Sequence, residues 1–189
     1  EMLLPIEKLI CHKEYVYVGA SAGITRFHSM ANPRGDGDGI VLKLSETGDV
    51  LAYHTVTDKD STIQAPLYNY TGDEARLSSI NLFENEDLIQ ATTTNSELII
   101  WSSNIPNAIL FTRLDQNLNV IWQKRFLPRD SARVLCLEVK TQPDGGFVAI
   151  NRIRNWKYKP ENGYDLQFLR FNNRGELMGQ TILPNQSSD

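Results

Sequence analysis

The sequence is short of the residues that most often carry chemistry: two cysteines, three histidines and three methionines in 189 residues. Cys11 and Cys136 lie far apart and inside apolar runs, Leu9-Ile10-Cys11 and Val134-Leu135-Cys136-Leu137. Neither has a second cysteine at ligand spacing, so a zinc cluster is not expected; buried free thiols are, with a single disulfide left open. No apolar run is long enough for a spanning helix. The sequence opens at Glu1 without a charged-then-apolar leader, as a processed or shortened chain would. Neither sign of charge dominates: 19 Lys and Arg against 23 Asp and Glu give a net charge of −4. No basic run interrupts that balance, so neither nucleic acid nor an anionic lipid surface is an expected partner. Nucleophile elbows, phosphate-cradling glycine loops and helical zinc pairs are all missing, and no cofactor is implied.

Helical periodicity is missing too. Apolar residues instead alternate or fall in short runs, the signature of strands. Tyr15-Val16-Tyr17-Val18, Ile40-Val41-Leu42-Lys43-Leu44, Glu97-Leu98-Ile99-Ile100-Trp101, Ala108-Ile109-Leu110-Phe111 and Phe147-Val148-Ala149-Ile150 are each of strand length and rich in β-branched or aromatic residues. Asp36-Gly37, Thr47-Gly48, Asp144-Gly145, Asn162-Gly163 and Arg174-Gly175 punctuate them with turn chemistry. The chain is expected to be all-β.

Three segments superpose when aligned on one basic residue. They run from Gly39 to Tyr53 around Lys43, from Ile109 to Trp122 around Arg113, and from Leu166 to Met178 around Arg170. Each reads as strand, cation, apolar residue, polar turn, strand. Gly48 and Gly175 hold the same turn position, where φ > 0 suits glycine; Leu118 stands there in the middle copy, which is expected to turn on Asn117 and Asn119 instead. Two further strand-like stretches precede each hairpin, making three four-stranded units over about 2–56, 75–126 and 132–183 with a long connection at 57–74. Val41, Phe111 and Phe168 keep one position apolar on the face opposite the usual core side, so both faces of every sheet are expected to be covered. Repeated antiparallel units buried on both faces point to a β-propeller-like domain.

Asp38-Gly39-Ile40-Val41-Leu42-Lys43-Leu44 followed by Thr47-Gly48-Asp49-Val50-Leu51-Ala52-Tyr53 resembles the blade repeat of bacterial secreted β-propellers. Asp165 to Leu177 and the stretch ending Val120-Ile121-Trp122-Gln123-Lys124 match it more loosely. The resemblance implies a secreted or cell-envelope location and says little about activity. Propellers typically close with about four to eight blades, and three units fall short. The ring is then completed by further blades or by other copies of the chain, or the three sheets pack as a prism or sandwich.

Propeller loops gather at two rims, and ligand-binding residues concentrate on the longer ones. Those loops are Arg26 to Asp38, Trp101 to Asn107, Ile153 to Asp165, Thr57 to Asp73 and Leu127 to Ala132; they carry His28, Asp36, Asp38, Tyr68, Tyr70, Trp101, Arg154, Trp156 and Tyr158. In Arg154-Asn155-Trp156-Lys157-Tyr158-Lys159 the alternation of cations and rings suits stacking on a sugar, although such rings also fold back over a blade edge. Asp36 and Asp38, and Asp58, Asp60 and Thr62, imitate calcium-loop alternation without the closing acid. His12, His28 and His54 match no metal spacing, and no metal site is assigned. Lys43, Arg113 and Arg170 read as structural partners for a neighbouring blade rather than as an anion-binding ring. The expected function is a non-catalytic module binding a protein or glycan polymer at the long-loop rim. The alternatives are part of a propeller enzyme acting on glycans through Asp36, Asp38, Asp58, Asp60 or Glu161, and a purely structural assembly module.

Overall fold

The computed structural model describes residues 6–23, 37–56, 74–95, 108–128, 133–154 and 164–184. All regular structure there is strand, and no helix is long and apolar enough to cross a membrane. The first unit comprises β1 (Ile6–His12), β2 (Tyr15–Gly23), β3 (Gly37–Ser45) and β4 (Val50–Val56). The second comprises β5 (Glu74–Leu82), β6 (Leu88–Asn95), β7 (Ala108–Leu114) and β8 (Val120–Phe126). β9 (Arg133–Thr141), β10 (Phe147–Arg154), β11 (Asp165–Phe171) and β12 (Leu177–Leu183) form the third. Each unit is an antiparallel meander, and one parallel bridge, Asp38 with Ala75, ties β3 to β5. This is the expected β-propeller-like architecture of three repeated four-stranded units. The expected strand at Glu97 to Trp101 lies outside the described residues.

The strand alternation read from the sequence decides which face meets which neighbour. Tyr17 and Val41 of the first sheet pack on Leu77, Ile80, Leu88 and Leu114 of the second. Gly19 permits the close approach: a Cβ there would sit 2.6 Å from Leu77 Cδ2. The other face of the second sheet carries Ile89, Ala91, Ile109 and Phe111, which meet Val139, Phe147, Leu169 and Phe171 of the third. Phe147 and Phe171 stack at 4.7 Å between centroids, and Phe111 tilts against both at 5.2 and 4.9 Å. Offset and tilted pairs of this kind add about 0.5–1.5 kcal/mol each beyond their buried area.

The expectation that both faces of every sheet are covered holds for the second unit alone. Ile109, Leu110, Phe111, Thr112 and Leu114, consecutive but for Arg113, are all buried because β7 has a sheet on each side. Phe168 is only half-buried, since β11 turns it away from the second unit and nothing among the described residues lies over it. On the first unit Leu9, Leu51 and Tyr53 are likewise exposed on the outward face. Cys11 corrects a further expectation. It pairs with Val16 on that outward face and is exposed, while Cys136 is buried between the second and third sheets; both are free thiols. Burial pushes the Cys136 thiol up to about 12, which leaves it inert.

The three hairpins used for the alignment share one turn geometry. In the middle copy Leu118 N–H donates to the Asp115 carbonyl at 2.9 Å, and Asp115 Oδ1 accepts from the main-chain N–H groups of Asn117 and Asn119 at 2.8 Å each. Hydrogen bonds from the Asn119 side chain and main chain hold the Asp115 carboxyl below the usual carboxylate range. Leu118 itself adopts φ 63°, matching Gly48 at 88° and Gly175 at 70°. The turn therefore does not move onto the flanking asparagines. Burial is the reason: the Leu118 side chain is 3% exposed and packs into the core between the first two units. Left-handed backbone costs a non-glycine residue about 1–2 kcal/mol, whereas a buried leucine is worth about 2–5 kcal/mol against truncation. Leu118→Gly should therefore lower unfolding free energy in urea by about 2 kcal/mol, the relieved φ being outweighed by the lost burial; a stabilised variant would show that the turn, not the core, controls this position.

Candidate functional site

Strand direction sorts the chain into two ends. β1, β3 and β5 run parallel, and β9 follows β5, with Val139 N–H donating to Ser79 Oγ at 3.2 Å and Thr141 Oγ1 to the Leu82 carbonyl at 2.8 Å. All six tight turns consequently lie at one end, and the strand ends bordering residues 24–36, 57–73, 96–107, 129–132 and 155–163 lie at the other.

At the turn end the repeated cation has the same task twice. Lys43 Nζ stands 4.0 Å over the Tyr15 ring of its own sheet and donates to the main-chain carbonyl of Gln116, in the β7–β8 turn of the next unit, at 3.0 Å. Arg113 stands over the Phe83 ring at 4.1 Å, is paired with Asp87 through Nε at 3.0 Å and Nη2 at 2.9 Å, and donates to the carbonyl of Asn173 at 3.2 Å. Gln116 and Asn173 each lie three residues beyond the cation of their own unit, so the acceptors are equivalent. Trp122 strengthens the second clasp: Nε1 donates to the same Asn173 carbonyl at 3.2 Å, and its ring leaves only 2.8 Å for a Cβ on Gly175. Arg170 bonds Asp144 of its own unit at 3.0 Å and is exposed. Lys43 and Arg113 join sheet to sheet, as the sequence reading favoured for them, with Trp122 beside the second, whereas Arg170, read the same way, is bonded within its own unit.

Two ion pairs brace the inner edge. Lys8 of β1 reaches Glu138 of β9 at 2.7 Å, with Lys140 at 3.5 Å, so the first unit touches the third across the axis. Burial works against charge on Glu138, but the hydrogen bond and charge of Lys8, helped by Lys140, hold its carboxyl below the usual range. Glu86 pairs with Lys13, whose hydrogen bond is the main reason its carboxyl is also held low. His12 lies 3.8 Å from Glu86 on β1, whereas His54 sits across the sheet on β4 with its imidazole pushed down by burial. The two do not converge, and among the described residues no three His, Cys, Asp or Glu side chains group for a metal.

Of the rim residues expected to bind ligand, Asp38 belongs to β3 and Arg154 is the last residue of β10, both at the loop end. His28, Asp36, Tyr68, Tyr70, Trp101, Trp156 and Tyr158 lie outside the described residues, as do Asp58, Asp60 and Glu161. Sequence reasoning missed the Asn173 clasp of Trp122, the Asp87 partner of Arg113 and the axial Lys8–Glu138 pair. Only the Asp87 partner had a signal, since Asp87 and Asp144 precede Arg113 and Arg170 by the same interval.

Arg113 and Asp87 are 12% and 13% exposed, so removing the guanidinium strands a desolvated carboxylate. Arg113→Ala should cost about 3 kcal/mol of unfolding free energy, while Lys43→Ala, whose partners are partly hydrated, should cost much less. Equal losses in a denaturant titration would show that the Asp87 pair is not what makes this position matter.

No family model and no curated protein matches the sequence. Among solved structures, an endo-arabinase from Bacteroides thetaiotaomicron VPI-5482 superposes with a TM-score of 0.51 at 10% identity, over 96% of this chain. The chain spans 61% of the length of that protein. The likeness is one of fold, a β-propeller-like stack of four-stranded sheets.

Proposed function

We propose that the protein is an extracytoplasmic binding module that recognises a carbohydrate polymer at its loop end. One observation carries the reading. The turn end is committed to clasping sheet to sheet, through Lys43, Arg113 and Trp122. The opposite end receives all the longer connections, and with them the aromatic and cationic residues of the chain best suited to sugars. By residue type Trp156, Tyr158, Trp101, Tyr68 and Tyr70 suit stacking on sugar rings, and Arg154 and Lys157 suit donation to sugar hydroxyls. The fold shared with an endo-arabinase favours a glycan over a protein as the polymer. A polymer of that kind is met outside the cytoplasm, in keeping with the resemblance of the repeat to secreted propellers.

That same likeness supports one second reading, a glycan-cleaving role for Asp36, Asp38, Asp58, Asp60 or Glu161, two of which would have to act as acid and base. A glycan array followed by titration separates the two. Trp156→Ala and Tyr158→Ala should each weaken retention by about tenfold or more, on the scale of one lost stacking contact. Retention unchanged in both variants, or no retained glycan at all, would remove the binding reading. Release of reducing ends from arabinan, abolished by an Asp→Asn change among the named acids, would replace it with the catalytic one.

A further inference from the structure

The third unit departs from the other two at the loop end of its outward face. The repeated cations pair in register with Tyr17, Ile89 and Val148, which makes Gly19, Ala91 and Ile150 equivalent, and likewise Ser21, Thr93 and Arg152. At both junctions within the chain these residues are small, and the second of each pair bonds the first strand of the next unit. Ser21 Oγ donates to the Leu77 carbonyl at 3.4 Å, and Thr93 Oγ1 accepts from the Cys136 N–H at 3.4 Å. Gly19 leaves no room for a Cβ beside Leu77. Ile150 and Arg152 are too large for that approach. At this end the third sheet is therefore not shaped to seat a neighbour as closely as the other two do.

What that end carries instead is positive charge. Arg133 and Arg154 are opposite each other in the β9–β10 register, and Arg152, two residues before Arg154, shares their face. Like charges set opposite one another destabilise an antiparallel pair. Among the described residues no acid pairs with Arg152: its guanidinium stands over the Tyr164 ring at 4.1 Å, and its Nε has no acceptor. The neighbouring acids are placed elsewhere. Glu138 is held by Lys8 and Lys140, and Asp165, opposite Ile153, belongs by alternation to the covered face.

We infer that these three arginines hold an anionic group of the polymer, a carboxylate or a sulfate ester, so that the glycan bound is an acidic one. This rests on the carbohydrate reading above and narrows it. A planar guanidinium meets either group through two parallel charge-assisted bonds, which a neutral sugar cannot return. The Tyr164 ring orients Arg152 before any ligand arrives. The chain as a whole carries a net charge of −4 and repels an acidic polymer, so attraction is confined to this end of the third unit.

Isothermal titration of the 189-residue chain tests this, with an oligogalacturonate, its carboxyl-reduced counterpart and a sulfated galactan oligosaccharide as probes. At least one charged probe should bind about tenfold or more tightly than the neutral one, the scale of a charge-assisted contact. The better of the two names the acid group. Arg152→Gln should remove about that tenfold with circular dichroism unchanged, Arg152→Lys should keep part of it, and neither should alter binding of the neutral probe. Raising sodium chloride from about 0.05 to about 0.5 M should weaken the charged probes alone. Charged and neutral probes bound alike, or a charged probe bound by Arg152→Gln as by the parent, overturns the inference and leaves the carbohydrate reading standing. No glycan bound, whether or not polyglutamate is, would remove that reading and the inference with it.

Discussion

The structure depends on a sheet that cannot stand in water alone. A four-stranded meander whose strands are apolar on both faces must be sandwiched, and each neighbour that covers it has the same need. The hydrophobic term provides the attraction, but it is non-directional and would tolerate sliding of one sheet over the next. Direction comes from the repeated cation. Anchored on a ring of its own first hairpin, it reaches a main-chain carbonyl in the next unit's second turn, and that carbonyl sits at a fixed offset from the next cation. Register therefore passes from unit to unit by geometry at the turn end, while the core supplies most of the energy.

The two clasps differ in strength for a legible reason. Lys43 bonds a partly hydrated carbonyl and leans on Tyr15, whereas Arg113 neutralises a nearly buried Asp87, stacks over Phe83 and shares its acceptor with Trp122. A planar guanidinium can serve these partners at once and an ammonium cannot. The aromatic cluster of Phe111, Phe147 and Phe171 lies behind the stronger clasp.

Much of the fold could be read from the residues. The period-two alternation located the strands, the shared cation aligned the three hairpins, and its recurrence at one position pointed to a structural partner in the neighbouring unit. The acceptors escaped because every residue type carries a carbonyl, so Gln116 and Asn173 have no signature of their own. Leu118 misled because propensity argues against leucine at φ 63°, while its burial, a tertiary effect, prevails. Phe168 and Cys11 were expected in the interior because apolar neighbours surround them in sequence; each lies instead on an end face, which local pattern cannot distinguish from a covered one. The candidate site was legible in topology, since alternating strand direction sends the longer connections to one end. Its side chains belong to connections that follow no repeat.

Division of labour between the two ends follows from the same topology. Tight turns keep the units in register and leave the loop end free to vary in length and composition without disturbing the stack. Mutual covering of the sheets is the central claim, and native-state amide hydrogen exchange tests it most directly. The account predicts that the slowest amides lie in β6 and β7, at residues such as Gln90 and Thr112, which a sheet covers on each side. Exchange that is equally slow in β2 and β10, or that opens the middle sheet first, would contradict it.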